Sequence, residues 1–192
     1  SAQKRILAER LKGESIKRDI SGIFTWQSVK QMLNPWQLAK GIVTGPWTAI
    51  KDIATGFKNF PEKWKTDPLG ASLQLAADIT TGLATLFSSV LALAAIIAGI
   101  LTIASIFFPP LFVPVPFLGT VITFCSKGAI ITGILAIFFN RLAYLKNLYD
   151  AGTAETAEGL FGEVGEMKKN TYGELKGMMA IAEGYGGLKL GA

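Results

Sequence analysis

The longest uncharged stretch of the sequence limits the possible folds of this chain more than any other feature. Between Asp78 and Lys127 there are 48 consecutive residues without Asp, Glu, Lys or Arg, and thirteen more separate Lys127 from Arg141. A helix needs about 20 apolar residues, at 1.5 Å each, to cross the hydrocarbon of a bilayer. Segments 82–108 and 119–139 are both long enough, so the run predicts a hydrophobic hairpin of two helices.

The two predicted spans differ in how readily each should enter a membrane. A central Leu, Ile, Phe or Val favours insertion by roughly 0.3 to 0.6 kcal/mol, whereas a Lys opposes it by about 2.5 to 3.5 kcal/mol. The first segment has fourteen of these apolar residues, while the second has eleven when Leu118 is included and must carry Lys127. We therefore expect the first to insert readily and the second to insert as part of the pair.

Lys127 is the one ionisable residue predicted to lie at membrane depth, and such a residue is a candidate functional site. With Thr123 and Ser126 beside it, it could face a bundle interior or a watery lumen. The alternative is a lysine on the outer surface of a helix. The sequence leaves both open, so Lys127 is a candidate lumen-lining or buried charge.

The connection between the two spans, residues 109–118, is apolar as well. Pro109-Pro110 should end the first helix, because the proline ring removes a donor and clashes with the preceding turn. Pro114 and Pro116 should keep the connection extended. With few amide donors and no charge, this tip could cross a bilayer at low cost. The predicted tip residues are Pro109, Pro110, Phe112, Pro114, Pro116 and Phe117.

A basic arm with a short repeat precedes the hairpin. Residues 1–66 carry twelve Lys/Arg and five Asp/Glu, and three segments place a Lys four residues after a Trp. Pro35 and Pro46 are suited to the first position of short successive helices, or the arm is one kinked helix. Trp with Lys at its border is typical of interfacial helices, although the Trp side chains could instead be core anchors of a soluble bundle. The predicted interfacial anchors are Trp26, Trp36, Trp47, Trp64, Lys30, Lys40 and Lys51.

The remaining segments should also be helical. Asp67 followed by Pro68 is a good helix start, leading through Asp78 into the first span. After the second span the helix should continue beyond Arg141, and a last amphipathic pattern covers 154–182. The many glycines weaken this tail as a helix, so residues 184–192 should be frayed.

The composition excludes several kinds of chemistry. There is no His, and Cys125 is the single cysteine, which rules out an internal disulfide, a Cys/His zinc site and a His-dependent triad. We expect no catalytic residue, cofactor or metal, and no enzyme. The basic residues are spread among Trp and apolar residues, which favours a membrane surface over nucleic acid.

These patterns predict an all-α fold: a helical bundle around a central hydrophobic hairpin, flanked by amphipathic helices. Its parts are the basic Trp/Lys helices of 1–66, the hairpin of 67–140 and the Gly-rich amphipathic tail of 141–192.

This order of segments resembles the pore-forming domains of colicins and the translocation domain of diphtheria toxin, which imply a bundle that opens to insert its hairpin. In colicins the hairpin lies close to the C-terminus, whereas about fifty residues follow it here. The stretch "NPWQLAKGIVTGPWTAIKDIATGFKNFPEKWKTDPLGA" also resembles helical regions of bacterial polymorphic toxins and injection-system cargo.

The resulting hypothesis is a secreted toxin-like protein that inserts its hairpin into a target-cell membrane, to form a pore or to translocate attached protein. Its partners would be an anionic bilayer and, in addition, a second copy, a secretion apparatus or an immunity protein. Acid triggering would depend on carboxylates such as Asp67, Asp78 and those of the tail. The alternatives are a constitutive hairpin protein of the producing cell's own membrane, with a shaping or scaffold role, and a chaperoned structural cargo that does not insert.

Overall fold

The computed structural model describes residues 2–5, 7 and 35–191, with the backbone alone for 35–42. Trp26 and Lys30 lie outside these residues. The described part is helical and contains no β-strand, which confirms the predicted all-α bundle with a central hydrophobic hairpin. The long helices are α1 (Pro35–Thr66), α2 (Pro68–Ala104), α3 (Val115–Thr153) and α4 (Ala157–Gly191), with a 3-10 turn at Pro109–Phe112.

The hairpin is made of α2 and α3, and the other two helices pack on it. Helix α1 lies along α2, with Gly45 beside Ser89 and Gly56 beside Asp78, so the two helices are antiparallel. Helix α4 packs mainly on α3 and also contacts α2. The core between α2, α3 and α4 contains many small residues, including a cluster of Ala84, Ala129, Ala136 and Ala180.

Helix α2 begins where the sequence predicts. The carboxylate of Asp67 accepts a hydrogen bond from the Gly70 N–H at 3.0 Å, and Pro68 occupies the first turn, where its missing N–H has no partner to lose. The same carboxylate accepts a hydrogen bond from Lys146 Nζ on α3 at 3.1 Å. One aspartate therefore starts the first helix of the hairpin and ties it to the second.

Helix α1 is continuous, and Pro46 lies inside it rather than at the start of a second helix. Of the two predicted forms, the successive short helices are wrong and the single helix is correct. The eleven-residue offset of the repeat is close to three turns, so one face stays on α2 throughout, with Ala49 and Gly56 buried. Packing along that face compensates for the backbone hydrogen bond that Pro46 cannot donate.

The tip differs from the prediction at both ends. Helix α2 ends at Ala104, five residues before Pro109, and the Ala104 carbonyl accepts hydrogen bonds from the N–H groups of Phe107 and Phe108 at 3.1 and 3.0 Å. Pro114 and Pro116 do not keep the chain extended, because they form the first turn of α3. A proline ring fixes φ at a helical value and the first turn needs no N–H donor, so prolines there favour a helix start.

The glycine-rich tail is a full helix to Gly191, so the prediction of a frayed end beyond residue 184 is wrong. The glycines let α4 approach α3 closely. A Cβ at Gly177 would lie 2.7 Å from the Gly133 carbonyl oxygen, and a Cβ at Gly133 would lie 2.7 Å from that of Gly177. We call this contact the small-residue seam. It consists of Ser126, Ala129, Gly133, Ala136 and Asn140 on α3, and Gly173, Gly177, Ala180, Gly184 and Gly187 on α4.

Replacing Gly177 with Ala should destabilise the bundle, because the added methyl group would meet the backbone of α3. We expect a loss of about 1 to 3 kcal/mol in the free energy of unfolding, as for an overpacked core. Gly186 is the matched control, since it lies on the same helix with open space at its Cβ position. Gly186→Ala should be neutral or stabilise by up to about 1 kcal/mol through helix propensity. Denaturant unfolding monitored by circular dichroism measures the free energy of unfolding of both variants. If the two substitutions change it equally, close packing at Gly177 is not what stabilises the bundle.

Candidate membrane-binding site

Helix α3 has its large apolar side chains on the outside of the bundle. Phe117, Phe124, Ile131 and Phe138 recur every seven residues and are 70, 68, 60 and 55% exposed. The side of α3 that faces α2 and α4 carries small and polar residues instead, including the buried Ser126, Thr132, Asn140 and Asn147. This distribution is the reverse of a soluble core helix and is typical of helices packed in a membrane, whose interfaces are rich in small residues.

The end of the hairpin adds to this exposed surface. The outward residues of α2 from Ile96 onward are exposed, and at the turn the exposed fraction reaches 86% for Phe107 and 77% for Val113. We call residues 96–124 the apolar tip; it contains no charged residue. The predicted tip residues all belong to it and all are exposed: Pro109, Pro110, Phe112, Pro114, Pro116 and Phe117.

Both arms of the hairpin are long and apolar enough to cross a membrane, by length and composition alone. The most apolar 18-residue windows have a mean hydropathy of 2.5 in α2 and 2.0 in the second arm. Only 11% and 39% of these windows are buried within the described structure. A core helix of a soluble protein can pass the same composition test, but it would be mostly buried.

Helix α1 carries a second exposed apolar stripe. Trp47 is 70% exposed and Trp64 is 48% exposed, with the Trp64 ring 5.5 Å from that of Phe60. For these two residues the alternative of core anchors is wrong, because the buried face of α1 is made of Ala49 and Gly56. Lys51 is exposed as well, and for Trp36 and Lys40 the structure describes the backbone only. The stripe consists of Val43, Trp47, Ile50, Phe57 and Trp64.

Lys127 lies on the exterior of α3 and is exposed. It is therefore a surface lysine in this bundle, and the predicted buried charge is wrong for this arrangement. The hydroxyl groups expected to accompany it turn elsewhere: Ser126 Oγ donates to the Ile122 carbonyl at 2.6 Å, and Thr123 Oγ1 donates to that of Gly119 at 3.0 Å. Such bonds to the preceding turn satisfy a hydroxyl within its own helix.

Sequence reasoning missed the polar link inside the hairpin. Asn140 Nδ2 donates to Thr81 Oγ1 on α2 at 2.8 Å and to the Ala136 carbonyl at 2.7 Å. The side chain is buried, and Gly173 of α4 lies against it. The signal was present in the sequence, because Asn140 is an amide residue directly between an apolar run and Arg141. A hydrogen bond between facing helices fixes which residues pair along the hairpin.

The end of the bundle opposite the tip is charged, and we call it the base. Arg141 Nε lies 3.0 Å from the Glu174 carboxylate, and Lys169 Nζ lies 3.5 Å from that of Asp78. Lys146 contacts both Asp67 and Asp150, at 3.1 and 2.8 Å. The bundle therefore has a charged base held by ion pairs between helices and an uncharged tip.

Three carboxyl groups outside the hairpin helices have shifted pKa values. Burial alone would raise the pKa of Asp67, but the Gly70 N–H and the ammonium of Lys146 outweigh it and lower the value. Burial raises the pKa of Glu163, with a further contribution from the Asp150 carboxylate, and loss of hydration raises the pKa of Glu183. Of these three groups, the two glutamates titrate first as the pH falls from neutral.

A cleft between α1, α2 and α4 at the base has a volume of about 70 Å³, well below the several hundred Å³ of a usual ligand pocket. No group of three or more His, Cys, Asp or Glu in the described residues is arranged to hold a metal ion. No protein family, curated protein or solved structure matches this chain.

The raised pKa values of Glu163 and Glu183 predict a pH-dependent stability difference. A carboxyl whose pKa is raised by folding destabilises the fold while charged, and this penalty disappears as the pH falls to its unfolded pKa of about 4.3. The double variant Glu163→Gln/Glu183→Gln should therefore be more stable than wild type at pH 7, with a gap that narrows toward pH 4.5.

Thermal unfolding at several pH values measures this gap. The control is Glu155→Gln/Glu158→Gln, which removes the same charge at two exposed positions of the same region. If the stability difference between Glu163→Gln/Glu183→Gln and wild type stays constant from pH 7 to pH 4.5, the pKa values of these two glutamates are not raised by folding. Asp67 should behave in the opposite way, because its pKa is lowered by folding. Its charged carboxylate stabilises the fold at pH values above its unfolded pKa of about 3.9, and this stabilisation is lost only as the pH falls below that value.

Proposed function

We propose that this protein inserts its α2–α3 hairpin into a lipid bilayer, to permeabilise that membrane or to carry attached protein across it. The observation that supports this proposal most directly is the exposed apolar tip. Its large side chains point outward from both helices, and Phe107 and Val113 at the turn are the most exposed of them. Apolar patches larger than a few hundred Å² are rare on soluble monomers and mark interaction sites.

The shape of the apolar tip favours lipid, rather than a protein partner, as the environment that buries it. The outward faces of α2 and α3 and the turn between them are all apolar, so the tip is apolar on several sides. A protein partner with one complementary patch would cover one side, whereas lipid surrounds an inserted hairpin completely. The turn has few amide donors to dehydrate, because four of its residues from 109 to 116 are prolines.

A toxin-like role in a target-cell membrane is the form of this function that we favour. The resemblance to colicin and diphtheria toxin domains supports it, since those bundles also carry an apolar hairpin between amphipathic helices. The net charge of +5 suits an anionic bilayer, to which each Lys or Arg near the surface contributes about 1 kcal/mol. Export from the producing cell and an immunity partner belong to the same proposal.

The second candidate is a constitutive hairpin protein of the producing cell's own membrane. The small-residue seam between α3 and α4 favours it, because glycine and alanine contacts of this type are common between helices that reside permanently in lipid. The two candidates differ in solubility. A toxin-like protein should be isolated from the aqueous fraction without detergent, whereas a constitutive one should stay with membranes.

A charge at the tip should block membrane permeabilisation. Phe107→Asp places a carboxylate at the most exposed apolar position, and a charge at membrane depth costs about 2.5 to 3.5 kcal/mol. We expect at least a tenfold lower initial rate of dye release from vesicles containing anionic lipid. Phe161→Asp is the matched control, because Phe161 is 59% exposed at the base and should tolerate the change.

Dye release by the wild-type protein is the direct test of the proposal. Vesicles with and without anionic lipid are compared between pH 4 and pH 8. Absence of release under all of these conditions would exclude pore formation. Equal loss of release in both aspartate variants would show that the tip is not the inserting part.

A further inference from the structure

Resting on the proposed membrane function, we infer that the intact bundle docks as a wedge in one leaflet of an anionic membrane. The apolar tip enters the acyl chains, and Lys127 with Lys189 forms a collar that stops at the lipid phosphates. Crossing the second leaflet then requires α4 to leave the hairpin. Two features of the bundle define this depth: the length of the tip and the positions of the two lysines.

The last described turn of α4 lies at the level of Lys127. Gly187, in its last turn, lies against Ser126, the residue before Lys127, and against Leu91 on α2. Lys189 follows two residues later and is exposed, as Lys127 is. Two lysines on neighbouring helices therefore occupy one level of the bundle.

The part of the hairpin beyond this level fits one leaflet. From Lys127 to Val115 there are twelve residues, which span about 18 Å as a helix, and from Leu91 to Ala104 there are thirteen, about 20 Å. The hydrocarbon of a bilayer is about 30 Å thick, so one leaflet provides about 15 Å. The tip fills one leaflet and reaches the midplane, but it is too short to cross both.

The charges define where entry stops. Residues 96–124 contain no charge, whereas deeper entry would bring both collar lysines and then Glu183, one turn before Gly187, into hydrocarbon. Charged residues are the costliest to place there. Helix α1 runs along α2 past this level, because Gly45 lies beside Ser89 and the helix begins at Pro35. Its one charged residue in that stretch is Lys40, about one turn beyond the level of Leu91, where a lysine side chain is long enough to reach the phosphates.

The test measures depth with one label per molecule. Cys125 is the single cysteine, so Cys125→Ser provides a cysteine-free chain, into which Val113→Cys, Leu190→Cys or Thr153→Cys is introduced for an environment-sensitive fluorophore; Leu190 is exposed beside Lys189 and leaves the collar charge in place. Vesicles of mixed neutral and anionic phospholipid carry quenchers near the headgroup or at the acyl-chain ends. We expect the label at 113 to be quenched best at midplane depth, the label at 190 near the headgroups, and the label at 153 by neither.

Removing the collar charge should deepen insertion. Lys127→Leu in the Val113→Cys background should carry the label past the midplane and make it reachable by a water-soluble quencher enclosed in the vesicle. Lys176→Leu is the matched control, because this exposed lysine of α4 lies away from the collar. Each collar lysine removed should also weaken binding to anionic vesicles about fivefold, whereas Lys176→Leu should leave it nearly unchanged.

The possible outcomes separate the wedge from the proposed function. If the wild-type label at 113 is already reached by the enclosed quencher, the hairpin spans the bilayer and the wedge is wrong, although membrane insertion stands. The wedge is also wrong if the label at 190 is quenched at midplane depth. If no label is quenched by any lipid, membrane insertion itself is wrong.

Discussion

The close backbone contact between α3 and α4 is the constraint on which the rest of this structure depends. At Gly133 and Gly177 neither helix has room for a Cβ atom, so the facing positions of both helices must hold small residues. A helix whose inward face is small can place its large apolar residues only on the outside. The outward phenylalanines of α3 are therefore a consequence of this packing, and so is the exposed apolar surface of the hairpin.

The charged base complements this contact, since glycine and alanine give close packing but little specificity. The hydrogen bond from Asn140 to Thr81 fixes the pairing of α2 with α3, and the contact of Lys146 with Asp67 closes the same pair at the base. Exposed ion pairs contribute at most about 1 kcal/mol each, so their main effect is to orient the helices. The bundle thus has a defined base and a tip to which none of these polar links extends.

Much of the fold could be predicted from the sequence because it depends on local or periodic signals. The charge-free run gives the hairpin, and Asp67 with Pro68 gives the start of α2. The positions of the prolines were harder to interpret: Pro114 and Pro116 fit an extended turn and a first helical turn equally well, and tertiary packing decides between them. The tail was misjudged because glycine propensity describes an isolated helix, whereas Gly184 and Gly187 are used for close approach to Ser126.

The site was predicted less completely, for a physical reason. Composition identifies which residues suit a membrane, but the direction of each side chain depends on which face of the helix is packed. Lys127 was a candidate for the interior because Thr123 and Ser126 are its neighbours in sequence. In the bundle their hydroxyls bond to their own helix, and the face that α4 covers turns Lys127 outward. Which side of α3 Lys127 occupies therefore depends on where α4 packs, and the sequence near Lys127 does not contain that information.

The hydrogen bonds of the hairpin bear on how α4 could leave it. Both bonds donated by the Asn140 amide stay within α2 and α3, and the hydroxyls of Ser126 and Thr132 donate to carbonyls of α3 itself. Removing α4 would break none of these bonds, so these buried donors would keep their partners in lipid. The cost of separation would then come from lost packing along the seam and from the two ion pairs that α4 makes with the hairpin, Arg141 with Glu174 and Lys169 with Asp78. Because lipid chains can replace much of that packing, the α2–α3 pair is the part of this bundle best suited to enter a bilayer without α4.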